Sequence, residues 1–159
     1  MHNMPTPIES FSARDLEEAI ISAIIGHPNI VSKIQPVLTE EVFSDSVLKG
    51  IYSDILLLNG HSKNNDLLKL LLNINKNDPE KIAFLKKLEQ NNCKTDNTEF
   101  HIKIIIQKYI LREIINLTSK YHDLVLEDKT DIIELIEMVK SDINSLEKCA
   151  LSLKSNISL

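Results

Sequence analysis

The sequence has no tryptophan and is poor in glycine, proline and aromatic residues. Its 159 residues include three glycines, five prolines, four phenylalanines and three tyrosines. Folds built from many turns need more glycine and proline, so this composition disfavours an all-β protein. Because 43% of the residues are hydrophobic, a core is possible, and leucine and isoleucine must build it. The length fits one domain, or one domain with an extension.

Other absences limit the cellular compartment and the classes of partner. The two cysteines, Cys93 and Cys149, form no CxxC pair, which is typical of free thiols in a reducing compartment. No apolar run reaches the length of a membrane span, and no cleavable signal precedes the first predicted helix. The formal net charge of -5 differs from the basic footprint of a nucleic-acid-binding protein. We therefore expect a cytoplasmic chain without membrane contact or tight, direct nucleic-acid binding.

Motifs that carry catalysis are also missing. A phosphate-binding P-loop needs GxxxxGK[ST], and Lys follows none of the three glycines, Gly26, Gly50 and Gly60. The five histidines show no spacing typical of metal ligands, and no GxSxG elbow occurs. The carboxylates fall on predicted solvent faces, where acid–base catalysis lacks an apolar pocket. The sequence therefore predicts no catalytic, cofactor-binding or metal-binding residue and indicates that this chain is not an enzyme.

Helical periodicity dominates the first part of the chain. Gly26-His27-Pro28 should end the first helix, with glycine in the left-handed conformation that follows many helices. Val42 and Phe43 should point inward from a short turn, and Ser44 or Asp45 should cap the helix that follows. The predicted helices run over about Ala13–Ile25 with Ser12 as N-cap, Asn29–Ile34, Ser46–Leu58, a segment starting at Asn64 or Asn65, and Pro79–Glu89.

The stretch from Thr98 to Leu153 is predicted to form two long antiparallel helices. Each should be about 35–40 Å long at about 1.5 Å per residue, with a turn near Glu127-Asp128 and Asp128 as the second cap. Such a hairpin has two apolar stripes, but each helix has only one partner within it. We therefore expect the apolar surface left uncovered to bind a second chain. Alternatively, the hairpin packs on its own globular part. The second helix repeats apolar residues in alternating steps of four and three, as a coiled-coil seam does: Ile132, Ile136, Val139, Ile143, Leu146, Ala150 and Leu153.

These patterns predict an all-α protein, a compact helical bundle followed by a long antiparallel helical hairpin. The expected division is an N-terminal tail (1–12), a globular helical bundle (13–95), a helical hairpin (96–153) and a frayed C-terminus (154–159).

Three segments resemble one protein family. DLEEAIISAII opens the first helix, VLTEEVFSDSVLKGIYSDILLLNG follows, and EFHIKIIIQKYILREIINLTSKYHDLVLEDKTDIIELIE forms the hairpin. Together they are similar to the amino-terminal domain of bacterial replicative hexameric helicases of the DnaB type. The closest likeness is Gln107-Lys108-Tyr109 with Arg112 and Glu113, placed before an acidic turn.

The resemblance implies a non-catalytic assembly domain. In that family the hairpins pair into dimers, three dimers form a collar above the motor domains, and the collar docks primase or a loader. Such a chain would bind copies of itself and one of those partners. The residues expected at the oligomer interface are Ile102, Ile106, Tyr109, Ile110, Ile136, Val139, Ile143 and Leu146.

Two other binding roles stay open at this stage. The helicase-binding carboxy-terminal domain of a primase shares the plan of bundle and hairpin, and AIIGHPNIV (Ala23–Val31) is similar to its His-Pro segment. A free-standing regulator that binds a partner through a helical hairpin is the other alternative.

Overall fold

The computed structural model describes residues 13–59, 66–91 and 95–159. Within those ranges the secondary structure is helical and contains no strand, which confirms the predicted all-α class. Short 3-10 turns lie at Pro28–Ile30, Glu40–Val42 and Thr95–Asn97. The α-helices of the described residues are α1 (Arg14–Gly26), α2 (Val31–Ile34), α3 (Ser46–Leu58), α4 (Leu67–Ile74), α5 (Pro79–Gln90), α6 (Thr98–Glu127) and α7 (Ile132–Ser152).

The described chain falls into two compact units. The globular unit comprises Ala13–Ile105 together with Ile157–Leu159, and the hairpin unit contains Ile106–Asn156. The structure thus places the first eight residues of α6 in the globular unit, whereas the sequence suggested a boundary near residue 95. A boundary inside a continuous helix leaves no mark of proline, glycine or charge in the sequence.

Local capping signals set most helix ends. The Asp45 carboxylate accepts hydrogen bonds from Val47 N at 2.9 Å and Leu48 N at 3.0 Å, which confirms Asp45 as the cap of α3. Asp78 caps α5 in the same way, and Pro79 occupies its first position. Helix α4 is described from Leu67, and the Asp66 side chain caps it by accepting a hydrogen bond from Lys69 N. The predicted cap Ser12 and the predicted helix start at Asn64 or Asn65 lie outside the described residues.

The end of α1 differs from the expectation. Gly26 is the last residue of the helix, and none of the described glycines has a positive φ. The C-cap is His27, whose backbone N–H donates to Ala23 O. Proline at position 28 is therefore sufficient to stop the helix, because it lacks the N–H that the next turn would need.

Helix α1 lies at the centre of the globular unit. It packs against α3 and α5, and every residue from Ile20 to Ile25 is buried. Neighbours therefore cover this part of the helix on several sides. Its Glu17 is also buried and receives hydrogen bonds from Ser44 N (2.7 Å), Ser44 Oγ (2.6 Å) and Asp45 N (3.1 Å). Three donors compensate the carboxylate for the water it has lost.

The rest of the core is aliphatic around one aromatic pair. Val42 and Phe43 point inward, as predicted. The Phe43 ring lies 4.8 Å from that of Tyr52, whose hydroxyl donates to Leu38 O at 2.8 Å. Burial raises the pKa of Tyr52, because the phenolate would lose its hydration. The tyrosine thus stays neutral and joins α3 to the preceding loop.

One residue of the segment after α7 is anchored to the globular unit. Ile157 is buried, and its N–H donates to Glu99 Oε1 at 3.2 Å. Glu99 also pairs with Lys103 at 3.0 Å. This anchored position differs from the frayed end expected for residues 154–159.

Candidate protein interface

The hairpin unit is built from most of α6 and all of α7. Helix α6 has 30 residues and α7 has 21, so they are about 45 Å and about 31 Å long at 1.5 Å per residue. The length of about 35–40 Å predicted for each helix is therefore too short for α6 and too long for α7. The first helix is longer because it begins inside the globular unit.

The turn between the helices uses two aspartates in different roles. Asp128 has φ of 48°, the left-handed conformation that terminates α6. Asp131, not Asp128, caps α7 by accepting hydrogen bonds from Ile133 N at 2.9 Å and Glu134 N at 3.3 Å. Short polar side chains tolerate positive φ better than most, which explains why an acidic residue can stand where glycine is common.

A polar cluster joins the last third of α6 to the middle of α7. Asp142 of α7 accepts hydrogen bonds from Lys120 Nζ at 2.9 Å and from the Tyr121 hydroxyl of α6. The hydrogen bond from Tyr121, with that from Lys120, lowers the pKa of Asp142. Loss of hydration, with the hydrogen bond to Asp142, raises the pKa of Tyr121. The cluster fixes the register of the helices, because both donors must face one carboxylate.

An apolar groove lies beside this cluster. Its volume is about 230 Å³. Ile143 is 55% exposed and Ile114 is 47% exposed, so large aliphatic side chains border it without being covered. The residues that line the groove are Ile114, Leu117, Thr118, Tyr121, Val139, Ile143 and Leu146. Such a surface can accept aliphatic side chains of another protein, because its lining is mainly apolar and burying it leaves no hydrogen-bonding group without a partner.

The predicted interface residues divide into three groups. Ile102 and Ile106 are buried within the chain, at 0% and 2% exposure, so they support the fold. Tyr109 and Ile110 are half-buried. The residues predicted on α7 remain accessible: Ile136 and Ile143 are exposed, while Val139 and Leu146 are half-buried and line the groove.

Sequence reasoning missed the groove residues of α6. Ile114, Leu117 and Tyr121 lie on its apolar stripe, but the interface residues predicted on this helix lie nearer its start. The first eight residues of α6 belong to the globular unit, and this shifts the accessible stripe toward the turn. In an antiparallel hairpin, the residues of α6 that face the α7 seam can be found by counting back from the turn. That count is the signal that could have identified the groove residues of α6.

A larger cavity of about 380 Å³ in the globular unit is a weaker candidate. It is lined partly by Arg14, Lys81, Asp78 and Phe84. These charged groups already serve the fold: Arg14 pairs with Asp45 at 2.9 Å and Lys81 with Asp54 at 2.8 Å. The Arg14 guanidinium also lies 6.0 Å from the Phe84 ring centroid. The cationic side chains of this cavity are therefore already paired with carboxylates of the fold, which favours a structural role.

The described residues bring together no group of three His, Cys, Asp or Glu side chains able to hold a metal ion. Across the same ranges, no helix combines the length and apolarity that crossing a membrane requires.

Comparison with known proteins gives consistent matches. The family described as DnaB-like helicase N terminal domain matches residues 9–107. The chain is 25% identical over 135 residues to the replicative DNA helicase DnaB of Rhodothermus marinus, a match covering 82% of this chain and 14% of that protein. The chain thus spans about one seventh of the length of this relative. The crystal structure of the N-terminal domain of DnaB helicase from Mycobacterium tuberculosis has a TM-score of 0.71 at 14% identity, covering 84% of this chain and 97% of that domain. At that identity the likeness shows the fold.

Proposed function

Because the chain belongs to the family of DnaB-like helicase N terminal domains, we propose that it is the non-catalytic assembly domain of a replicative DNA helicase. It pairs with a second copy through the hairpin unit, and the pairs form a collar that docks primase or a loader in the cytoplasm. The ATP-driven motor belongs to the rest of such a helicase. Of the binding roles left open by the sequence, family membership supports this one.

The exposure of α7 is the observation that carries the proposal. Its 21 residues include no buried one, although its apolar positions follow a coiled-coil spacing. Burying one aliphatic side chain of this kind stabilises a complex by about 1.5–3 kcal/mol. A few such residues from each copy can therefore support micromolar association once the entropy losses of binding are met.

The geometry of the groove suits pairing between identical chains. A two-fold interface needs a surface that offers both a ridge and a recess, since each copy presents the same patch. Ile136 and Ile143 supply exposed side chains, and the groove between Ile114 and Leu146 supplies the recess. The interface we propose comprises Tyr109, Ile110, Ile114, Ile136, Val139, Ile143 and Leu146.

The test is a double substitution, Val139→Asp with Ile143→Asp, followed by sedimentation between about 1 and 100 µM protein. The wild-type chain should gain mass over this range, and the variant should remain monomeric because each new carboxylate would have to be buried in the complex. Circular dichroism should show unchanged helix content, since neither side chain is buried in the chain itself.

A matched control is Asn144→Asp with Ser145→Asp, which adds the same charge to exposed positions of the same helix. This control should associate like the wild type. A folded Val139→Asp, Ile143→Asp variant with the wild-type mass, or a wild-type chain that stays monomeric throughout, would contradict the proposed pairing.

A further inference from the structure

The end of the hairpin carries a second apolar surface that the groove does not use. We call residues 123–137 the hairpin tip. Its apolar side chains outside the proposed pairing interface are among the most exposed of the described chain: Val125 60%, Leu126 71%, Ile132 70% and Ile133 68%. Apolar side chains concentrated in this way on a surface mark contact sites.

The same segment is strongly acidic. Between Asp123 and Glu137 there are six acidic residues and a single lysine, Lys129. The net charge of the tip therefore equals the formal charge of the whole chain, -5. Nucleic acid is a poor occupant of such a surface, because its phosphates have the same sign.

The hairpin of a second copy is also a poor occupant. Two tips would repel each other because each has a net charge of -5, and the basic stretch at residues 100–112 offers little complement. Of its three basic residues, Lys103 pairs with Glu99 at 3.0 Å and Arg112 is only 9% exposed. Neither a second tip nor this stretch therefore supplies the positive charge that would complement the tip.

From this combination we infer that the hairpin tip docks a basic amphipathic helix of a different protein. The apolar face of that helix would cover side chains such as Leu126 and Ile133, and its flanking Lys or Arg residues would face the surrounding carboxylates. Recognition of an amphipathic helix by a patch with complementary charge is a common mode of protein binding. The inference rests on the proposed function in that it assigns a surface and a chemistry to the docking of a foreign partner.

The probe is a synthetic helix of about 18 residues with leucines along one face and lysines on both flanks. Its binding to the full chain is followed by fluorescence anisotropy. Leu126→Ser with Ile133→Ser should weaken binding about tenfold or more, because the apolar contact is lost. Glu127→Gln with Glu134→Gln should weaken it about threefold at low salt and change little at about 0.5 M salt.

Two control variants carry the same types of residue change on helix α7, away from the tip. Leu151→Ser and Glu147→Gln alter exposed positions near the other end of α7 and should leave binding unchanged. A peptide with glutamates in place of lysines, and one with serines in place of leucines, should bind at least tenfold more weakly.

The outcomes separate this inference from the proposed function. Equal binding of the lysine peptide by wild type and both tip variants overturns the docking surface, whatever the oligomeric state. A tip variant that also loses self-association overturns it too, because a second copy is then the occupant. A wild-type chain that stays monomeric but binds the peptide through the tip supports the docking surface and contradicts the pairing of hairpins.

Discussion

The two units contain the same types of aliphatic residue, but the globular unit buries them along α1 and the hairpin unit leaves them accessible along α7. Helix α1 of the globular unit has 13 residues and buries seven of them, whereas α7 of the hairpin unit has 21 and buries none. Both helices are rich in isoleucine, so composition does not distinguish them. The difference is the number of neighbours: α1 is enclosed by α3, α5 and the adjoining turns, while a helix in a hairpin meets one neighbour of its unit along its length. An apolar stripe on such a helix is therefore available to another protein.

The strongest test of this comparison is to truncate one isoleucine side chain in each unit. Ile51→Ala should lower the free energy of unfolding by about 2–5 kcal/mol, because Ile51 is fully buried and the change leaves a cavity. Ile133→Ala should change it by less than about 0.5 kcal/mol, because Ile133 is 68% exposed. Urea denaturation followed by circular dichroism at low protein concentration measures both. Similar losses for the two variants would mean that the hairpin tip is already covered within the chain.

A smaller effect concerns the polar cluster of the hairpin and depends on pH. The pKa of Asp142 is lowered, chiefly by the hydrogen bond from Tyr121. A carboxylate with a lowered pKa stabilises the fold above its ordinary pKa, and this contribution is lost as the pH falls through the lowered value. Asp142→Asn should therefore be less stable than the wild type at neutral pH, and the gap should close in acid. The gap should be modest because Asp142 is partly exposed.

Unfolding curves of the two proteins from neutral to acidic pH measure this gap. Glu147→Gln, an exposed change on the same helix, should show no such dependence. A gap of the same size at every pH would show that ionisation of Asp142 does not stabilise the hairpin.

The parts of the fold that sequence reasoning located are those specified by neighbouring residues. The Asp45 cap and the start of α5 at Pro79 follow from side chains within three residues of the backbone that they serve. The apolar repeat likewise identified the two hairpin helices. Buried Glu17 could not be found in this way, since its donor Ser44 lies 27 residues further along the chain.

The candidate interface shows the same limit. The repeat on α7 marked Val139 and Leu146, which line the groove, because one stripe on a single helix is a local property. Ile102 and Ile106 carry the same kind of signal but are buried. Whether an apolar stripe is covered depends on the tertiary position of the helix, and the spacing of its residues does not encode that position.

The central claim is that the exposed stripe of α7 is completed by a second copy of the chain. Hydrogen exchange at different protein concentrations tests it directly, because it reports on each helix separately. The amides of α7 should exchange about tenfold more slowly at about 100 µM than at about 1 µM protein, while those of α3 keep the same rate. Exchange in α7 that is independent of concentration would contradict the claim.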